Sequence, residues 1–223
     1  MCGLVAILGH TADAPRVRRG LAALRHRGPD GTGTWSRGAC VLGHARLAIV
    51  DRTLGWQPLT SEDGRIVAVV NGEFYGTKPL RQALKVRGHC FRSHSDSEVL
   101  VHLWEEFGPS ALAKLRGEFA LIVWDGHTQT LHAARDNFGV RSLVYHQGAD
   151  HVLQLASESK ALFAMGVERA LSPSAVVQAF SHQYLYPDHT MFTGVRRLPP
   201  GGHLRAQLAG DGRLTIHLET LQS

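Results

Sequence analysis

The sequence predicts an α+β fold in which two mostly antiparallel sheets pack together and helices cover them from outside. Most neighbouring strand-like segments are joined by short turns, such as those at Asp125-Gly126 and Asp211-Gly212, and short turns produce antiparallel pairs. The helical segments come in groups rather than one after each strand, unlike those of a doubly wound nucleotide fold. The 223 residues are 43% hydrophobic, which suits one large domain or two small ones.

Each predicted strand is a short apolar run bounded by turn residues. The first covers residues 3–8 and starts directly after Cys2. Another covers residues 65–70 and ends at Asn71-Gly72, a typical turn pair. The remaining strand-like segments are 39–45, 47–50 and three hairpins, 119–124 with 130–134, 142–146 with 152–156, and one within 201–218.

Apolar residues at three- and four-residue spacing predict the helices. Residues 15–24 place Val17, Leu21 and Leu24 on one face of a helix. The other helical segments are 80–86, 158–165 and 173–182.

A capping box predicts the start of one further helix. Ser95 is followed three residues later by Glu98, so a helix is expected from about Asp96 to residue 107. Residues 26–34, by contrast, are rich in glycine and proline and are predicted to be a loop. The GPDGTG stretch within them follows no predicted strand, which argues against a phosphate-binding loop.

Composition and charge exclude several classes of function. No apolar stretch reaches the roughly 18 residues of a membrane span, and no basic segment precedes the first apolar run, so a cytoplasmic protein is expected. The net charge of +5 comes without a nucleic-acid-binding module, which favours a solvated basic face. The 14 histidines form no zinc-binding spacing, so no metal site is expected.

The three cysteines match no disulfide, zinc or redox spacing. Cys40 and Cys90 occur in apolar, strand-like surroundings and are predicted to be buried. Cys2 is either an accident of its position or a nucleophile, because removal of Met1 would give it an α-amino group able to accept the thiol proton. A chain that retains Met1 would then be the unprocessed, inactive form, with Met1 at the pocket.

Three later segments place polar groups beside predicted strands. Arg46 stands among apolar residues in GHARLAIVD, and a buried arginine requires a carboxylate, which a substrate could supply. Asn71 and the Gly72 N–H offer two donors for an oxyanion. Glu73 and Asp96 could receive an ammonium group. Together these residues describe a site for the α-amino-acid end of a ligand.

Each of these residues also has a purely structural interpretation. Arg46 could pair with Asp51, and Asn71-Gly72 could be an ordinary turn. Asp96 could serve only the dipole of its helix. The residues taken singly leave these alternatives open.

The order of the motifs resembles that of class II glutamine amidotransferases, over about residues 2 to 205. The chain is similar to the glutaminase half of glutamine-hydrolysing asparagine synthetases of the bacterial B type. This resemblance implies the four-layer αββα sandwich of N-terminal nucleophile hydrolases. The motifs, in chain order, are MCGLVAI, HRGPDG, GHARLAIVD, QPL, VVNGEFYG, SDSEVL, GEFALIVWD and AARDNFGVRSL.

The resemblance implies catalytic roles for three residues. Cys2 matches the nucleophile that becomes the new N-terminus, and Asn71 and Gly72 match the oxyanion hole. Residues 26–30 match the loop beside the nucleophile, which is expected to order around bound glutamine.

The resemblance also implies the substrate-binding residues. Arg46 matches the arginine that binds the glutamine α-carboxylate, and Glu73 and Asp96 match the residues that bind its α-amino group. Backbone groups from Leu47 to Val50 are expected to line the same pocket.

Two departures from the family pattern bear on these expectations. Gly76 stands where the family commonly has asparagine, which predicts either a looser turn beside Glu73 or no change. No SGG-x-DS pyrophosphate loop follows. We therefore expect a glutaminase domain at residues 1–205, a C-terminal strand or tail at 206–223, and no synthetase domain in this chain.

The resemblance implies a free-standing glutaminase that converts L-glutamine to glutamate and ammonia through a thioester on Cys2. No cofactor is expected on this chain. ATP and magnesium would act on a separate synthetase-type partner, which would dock on apolar surface in the C-terminal third. A homo-oligomer is compatible with the sequence, and neither nucleic acid nor a membrane is expected as a partner. The alternatives are a non-catalytic module of such a complex and a hydrolase of the same fold acting on another amide.

Overall fold

A computed structural model describes residues 1–221, which form twelve strands and five α-helices. The strands are β1 (Gly3–Leu8), β2 (Gly31–Arg37), β3 (Cys40–Arg46), β4 (Leu59–Thr60), β5 (Ile66–Phe74), β6 (Gly117–Asp125), β7 (Thr130–Arg135), β8 (Val144–Gln147), β9 (Leu153–Ala156), β10 (Val195–Arg197), β11 (Gly202–Leu208) and β12 (Leu214–Thr220). The helices are α1 (Ala14–Ala23), α2 (Thr77–Val86), α3 (Val99–Phe107), α4 (Ser159–Ala164) and α5 (Pro173–His182).

The strands form two six-stranded sheets in which every pair is antiparallel. The first sheet has the order β10-β8-β9-β1-β3-β2, and the second has the order β12-β11-β7-β6-β5-β4. Short connections join half of the neighbouring pairs, namely β2–β3, β4–β5, β6–β7, β8–β9 and β11–β12. The other neighbours, such as β5 and β6, are far apart in sequence, so short turns join fewer pairs than the sequence predicts. The two central strands are β1 and β9 in the first sheet and β7 and β6 in the second.

Three apolar cores separate four layers. The central core lies between the two sheets and includes Leu4, Leu42, Val69 and Ile122. A second core joins the second sheet to α2 and α3, and a third joins the first sheet to α1 and α4. The order of layers is therefore helix, sheet, sheet, helix, which confirms the predicted αββα fold.

The chain does not turn at Asn71-Gly72, contrary to the sequence prediction. β5 continues through both residues to Phe74, because Asn71 pairs with Ala120 and Gly72 pairs with Phe119 on β6. Pairing with a long neighbouring strand has overridden the local turn preference of the Asn-Gly pair.

The helix predicted from Asp96 begins differently. A short 3₁₀ turn covers Asp96–Glu98, and α3 starts at Val99. The Ser95 hydroxyl accepts a hydrogen bond from Ser97 N, as an N-cap residue does. The Glu98 carboxylate does not reach back to Ser95. It accepts from the backbone N–H groups of residues 92 and 93 instead, so the reciprocal half of the capping box is absent.

Several other local predictions are wrong. Residues 47–50 form no strand, and β2 starts at Gly31 inside the predicted loop. The short strands β4 and β10 are absent from the prediction. Cys90 is exposed rather than buried, because it follows α2 in an irregular segment, whereas Cys40 on β3 is buried as predicted.

Two further features concern the edges of the fold. The domain boundary predicted after residue 205 lies within β11, and β12 pairs with β11 along its whole length. Gly76 has φ of 65° at the N-terminus of α2, a left-handed conformation that glycine and asparagine both adopt readily. No helix in the described part of the chain is long and apolar enough to cross a membrane.

Candidate active site

One cavity opens at an end of the space between the two sheets, and all eight residues predicted for the site line it. These residues are Cys2, Arg46, Leu47, Val50, Asn71, Gly72, Glu73 and Asp96. They come from the start of β1, the end of β3, the segment after it, the end of β5 and the 3₁₀ turn before α3.

Strand alternation explains why Cys2 and Arg46 face this cavity. On β1 the even-numbered residues, such as Leu4, belong to the core between the sheets, and Cys2 continues that series by one more step. On β3 the even-numbered residues, such as Leu42, belong to the same core, and Arg46 ends the series. β1 and β3 are antiparallel with Gly3 opposite Ala45, so the two series end beside each other.

The same alternation places the polar residues of β5. Val67 and Val69 belong to the core between the sheets, and Asn71 and Glu73 follow them at two-residue intervals. The cavity thus lies at the end of the central core. There the core-facing side chains of β1, β3 and β5 change from apolar to polar.

The polypeptide around Cys2 is held by backbone and side-chain hydrogen bonds. The thiol lies 3.4 Å from Leu47 N, which donates to it, and 3.8 Å from Leu47 O. Arg27 Nε donates to the carbonyl oxygen of Cys2 at 2.8 Å. Two residues after Cys2, Ser157 Oγ accepts from Leu4 N at 2.9 Å, and Ser157 N donates to Leu4 O. The reactive end of the chain is therefore fixed rather than frayed.

Met1 is present in this structure and lines the same cavity. Its side chain accepts a hydrogen bond through Sδ from Arg27 Nη2 at 3.8 Å. With Met1 attached, the nitrogen of Cys2 is an amide rather than an amine.

An ion-pair cluster supports Arg27, a residue to which sequence reasoning gave no individual role. Arg27 Nη1 lies 2.9 Å from Glu158 Oε1, and His26 and Lys160 also contact this carboxylate. Burial raises the pKa of Glu158, but hydrogen bonds from Arg27, His26 and Lys160 outweigh it and hold that pKa at about 2. The carboxylate therefore stays charged and holds the Arg27 guanidinium against the Cys2 carbonyl.

The HRGPDG loop also locks the segment that follows β3. Asp30 Oδ2 accepts from Ala48 N at 2.7 Å, and Asp30 N donates to Arg46 O at 3.0 Å. A Cβ atom on Gly28 would lie 2.2 Å from the carbonyl carbon of Ala45, so only glycine fits there. The loop that the sequence placed beside the nucleophile holds both Cys2 and the neighbouring substrate-side segment.

Arg46 is buried, yet it has no carboxylate partner within residues 1–221. Its guanidinium donates to the carbonyl oxygens of Asp51 at 2.6 Å and Arg52 at 3.1 Å, and it lies 4.6 Å from the ring centre of Trp56. The Asp51 carboxylate is occupied by the N–H groups of Leu54 and His94. The predicted alternative, an Arg46–Asp51 ion pair, is therefore wrong.

Asn71 is 1% exposed, and its Nδ2 has no hydrogen-bond partner in the described structure. A buried donor without a partner costs about 1–3 kcal/mol, so it requires an explanation. At Gly72, φ is 150°, and an added Cβ would lie 2.0 Å from the Glu118 carbonyl oxygen. Glycine is therefore obligatory at the position where the backbone lines the cavity.

The two acids predicted for the site, Glu73 and Asp96, also line the cavity. Asp96 Oδ2 accepts from Phe74 N at 2.6 Å, which ties the 3₁₀ turn to the end of β5. Its other carboxylate oxygen and the Glu73 carboxylate make no hydrogen bond to any residue that the structure describes. Both acids therefore retain acceptors for a ligand, and Asp96 has a structural contact in addition.

His44 was missed by sequence reasoning although it precedes Arg46 by two residues and lines the cavity. Both ring nitrogens are buried without a hydrogen-bond partner in the described structure. Burial is the main cause that lowers the pKa of His44 to about 4; the Val70 backbone opposes this shift, and the charge of Arg46 adds to it. The ring is therefore neutral at neutral pH and leaves Arg46 as a positive charge on this wall. Its strand parity, shared with Arg46, was the signal that could have identified it.

Gln57 and Arg141 also line the cavity and were not predicted. The Gln57 side chain bonds to both backbone groups of Val70, with Oε1 accepting from Val70 N and Nε2 donating to Val70 O. Arg141 pairs with Glu118 on β6. The first contact explains the QPL motif, since a glutamine side chain here substitutes for a missing strand partner of β5.

The chain is similar to several known proteins. A family model described as a glutamine amidotransferase domain matches residues 1–214. A glutamine-hydrolyzing asparagine synthetase of Triphysaria versicolor is 43% identical over 166 residues, which cover 73% of this chain and 28% of that protein. Asparagine synthetase 1 of Bacillus subtilis is 33% identical over 217 residues, 95% of this chain and 34% of that protein. The chain spans about a third of the length of these relatives.

A solved structure shows the same fold at lower sequence identity. The glutamine phosphoribosylpyrophosphate amidotransferase of B. subtilis, complexed with ADP and GMP, superposes with a TM-score of 0.72 and 24% identity. The superposition covers 99% of this chain and 49% of that one. The likeness confirms the predicted fold class for nearly the whole chain.

Proposed function

Because this chain belongs to the class II glutamine amidotransferase domain family, we propose that it hydrolyses L-glutamine to glutamate and ammonia with Cys2 as the nucleophile. One observation carries the proposal. One cavity brings together the Cys2 thiol, the Asn71 Nδ2 and the buried Arg46 guanidinium. Within residues 1–221 the Asn71 Nδ2 has no hydrogen-bond partner and Arg46 has no acidic partner. A nucleophile, an oxyanion donor and an anion-binding group are the parts that amide hydrolysis of an amino acid requires.

The distribution of charge supports glutamine as the substrate. Arg46 supplies free N–H donors for the α-carboxylate, and Glu73 and Asp96 supply carboxylate oxygens for the α-ammonium group. With those groups bound, the γ-carboxamide extends toward Cys2 and Asn71. An amide lacking an α-amino acid would leave the Arg46 charge buried and uncompensated, which disfavours other substrates.

In the proposed reaction, removal of Met1 first frees the α-amino group of Cys2. This amine accepts the thiol proton while Sγ bonds to the carbonyl carbon of the γ-carboxamide, and the carbonyl oxygen becomes an oxyanion that Asn71 Nδ2 and Gly72 N–H stabilise. The C–N bond then breaks, and the amine returns the proton to the leaving group, which departs as ammonia. Water attacks the resulting γ-glutamyl thioester, releases glutamate and restores the thiol.

The test is glutamate release from glutamine by the mature protein, whose mass should show the loss of Met1. Cys2→Ala should reduce release to the uncatalysed background, and Cys90→Ser, a matched change at an exposed thiol, should leave it unaltered. An uncleavable N-terminal extension should also abolish release, because it removes the free amine. Full activity of either the Cys2→Ala or the extended protein would overturn the mechanism. Absence of release from the parent would favour a non-catalytic module.

We propose further that the ammonia passes to an ATP-dependent synthetase-type partner. The named relatives are asparagine synthetases about three times as long as the matched segment, which supports such an arrangement. Exposed apolar side chains occur on α5 and in the segments just before and after it, and Phe180 is 85% exposed. This α5 surface consists of Leu171, Val177, Phe180, Tyr184 and Tyr186.

Co-purification with a synthetase-type protein encoded beside this one tests the second step. Phe180→Asp should weaken association while leaving glutamate release by the isolated chain intact. Val86→Asp, at an exposed apolar residue on α2, is the matched control and should not affect association. Equal association of all three proteins would exclude the α5 surface as the interface.

A further inference from the structure

A second group of polar side chains lies outside the Cys2 cavity, where α2, α3 and the turn between β4 and β5 meet. Its four members, here called the His/Glu cluster, are Glu62, His89, His102 and Glu105. Glu62 belongs to the turn, His89 follows α2, and the other two lie three residues apart on α3. The proposed glutaminase reaction uses none of them.

The four candidate ligand atoms of the cluster, one from each side chain, all lie within 4.8 Å of one another. His102 Nδ1 lies 3.0 Å from Glu105 Oε2 and 3.4 Å from Glu62 Oε2. His89 Nδ1 lies 3.4 Å from Glu105 Oε2 and 3.9 Å from Glu62 Oε1. Four ligands at the usual zinc distances, arranged as a tetrahedron, are about 3.3 Å apart. The four observed separations lie on both sides of that value.

Outer hydrogen bonds orient two of these side chains. His89 Nε2 lies 3.0 Å from Glu106 Oε1, and Arg87 pairs with the same carboxylate. A carboxylate behind a histidine fixes its tautomer and leaves the other nitrogen free as a ligand. Glu62 Oε1 accepts from Cys90 N at 2.9 Å, which holds the turn against the end of α2.

Solvent exposure differs between the two ends of the cluster, as expected for a closed site with one entrance. The His102 side chain is 2% exposed, whereas that of Glu62 is 37% exposed. An ion can enter past Glu62 and reach nitrogen ligands that water scarcely touches. Two carboxylates at this range repel each other, and a divalent cation would neutralise both.

We propose that the His/Glu cluster binds one divalent transition-metal ion, with Zn²⁺ as the cation that its donors fit best. The ligands are Nδ1 of His89, Nδ1 of His102 and one carboxylate oxygen each from Glu62 and Glu105. Two imidazole and two carboxylate donors suit zinc, and four protein ligands leave no open position for substrate. The site is therefore structural and ties α3 to the two segments beside it.

The test measures zinc binding independently of glutamine turnover, so that failure of the proposed function would not affect it. Protein freed of metal by chelation is titrated with zinc sulfate, and metal content and Tm are recorded. We expect one zinc per chain and a rise in Tm. Glu62→Gln, at the most exposed ligand, should keep the fold and weaken zinc binding at least 10-fold, and His102→Gln should abolish the Tm rise.

His217→Gln, at an exposed histidine on β12, is the matched control and should bind zinc like the parent. Lack of stoichiometric zinc in the parent would show that the cluster is held by hydrogen bonds alone and would overturn the proposal. Zinc binding could also survive both Glu62→Gln and His102→Gln but be lost in Cys90→Ser. That result would place the ion on a thiol and would overturn the proposal as well.

Discussion

The Asn71 amide is the residue whose surroundings most directly suggest a function. Its Nδ2 is buried without a partner in the described chain, although most buried donors in proteins are paired. The cost of that arrangement, about 1–3 kcal/mol, is offset if an oxyanion forms beside the nitrogen during reaction. The same logic applies to Arg46, a buried charge that has no acidic partner among the residues that the structure describes.

Asn71→Ala should lower kcat for glutamine hydrolysis by about 100- to 1,000-fold with little change in KM, because the donor acts on charge that develops in the transition state. Steady-state glutamate release measures both constants. Asn137→Ala, in an exposed segment outside the cavity, is the control. A fall in kcat of less than 10-fold would exclude Asn71 from the oxyanion hole.

At the scale of elements, β5 performs two tasks. Its first half supplies Val67 and Val69 to the central core, and its second half presents Asn71 and Glu73 to the cavity. Gly72 lets the strand pass close to β6 between these two residues, because any side chain would meet the Glu118 carbonyl. The β5–β6 pairing and the shape of the cavity thus depend on the same glycine.

Gly72→Ala should destabilise the protein by about 3 kcal/mol, since it combines a strained positive φ with a Cβ that overlaps a neighbouring strand. Urea unfolding followed by circular dichroism measures the loss. Gly210→Ala, where no atom lies within 4 Å of the added Cβ, should change the unfolding free energy by less than about 0.5 kcal/mol. Equal stability of the two variants would contradict the interpretation of the β5–β6 contact.

At the scale of the whole molecule, folding buries histidine side chains in surroundings that favour their neutral form. His132 on β7 is 2% exposed and stacks on His203, with Nδ1 and Nε2 3.0 Å apart. Burial first, and then the charge of His203, lower the pKa of His132 to about 3. The unfolded chain takes up this proton below about pH 6.5, whereas the folded chain does not until about pH 3. Folding stability is therefore lost as the pH falls through this range.

His132→Leu should reduce the slope of the unfolding free energy against pH between pH 6 and pH 4. The reduction corresponds to at most one proton, or about 1.4 kcal/mol per pH unit. The measurement is the free energy of unfolding at several pH values, compared as a slope so that a change in stability at neutral pH does not interfere. His217→Leu, at an exposed position, should retain the parental slope. An unchanged slope in His132→Leu would show that His132 is not the group responsible.

The amino-acid sequence by itself predicted the layers of the fold and a set of residues that the structure places around one cavity. Short apolar runs in β1 and β3, short turns in the hairpins and apolar periodicity in α1 are properties of neighbouring residues, so they could be interpreted locally. Strand parity explains why Cys2, Arg46, Asn71 and Glu73 lie around one cavity, because each continues a series of core residues to the end of its strand.

Only the tertiary structure decided features that depend on distant residues. Asn71-Gly72 is strand rather than turn because β6 pairs with it across the sheet. Arg27 holds Cys2 through a carboxylate 131 positions away along the chain, which no local pattern indicates. The His/Glu cluster likewise joins three segments whose spacing in sequence resembles no metal motif. In each case the deciding free energy comes from contacts that exist only once the sheets have paired and the helices have packed on them.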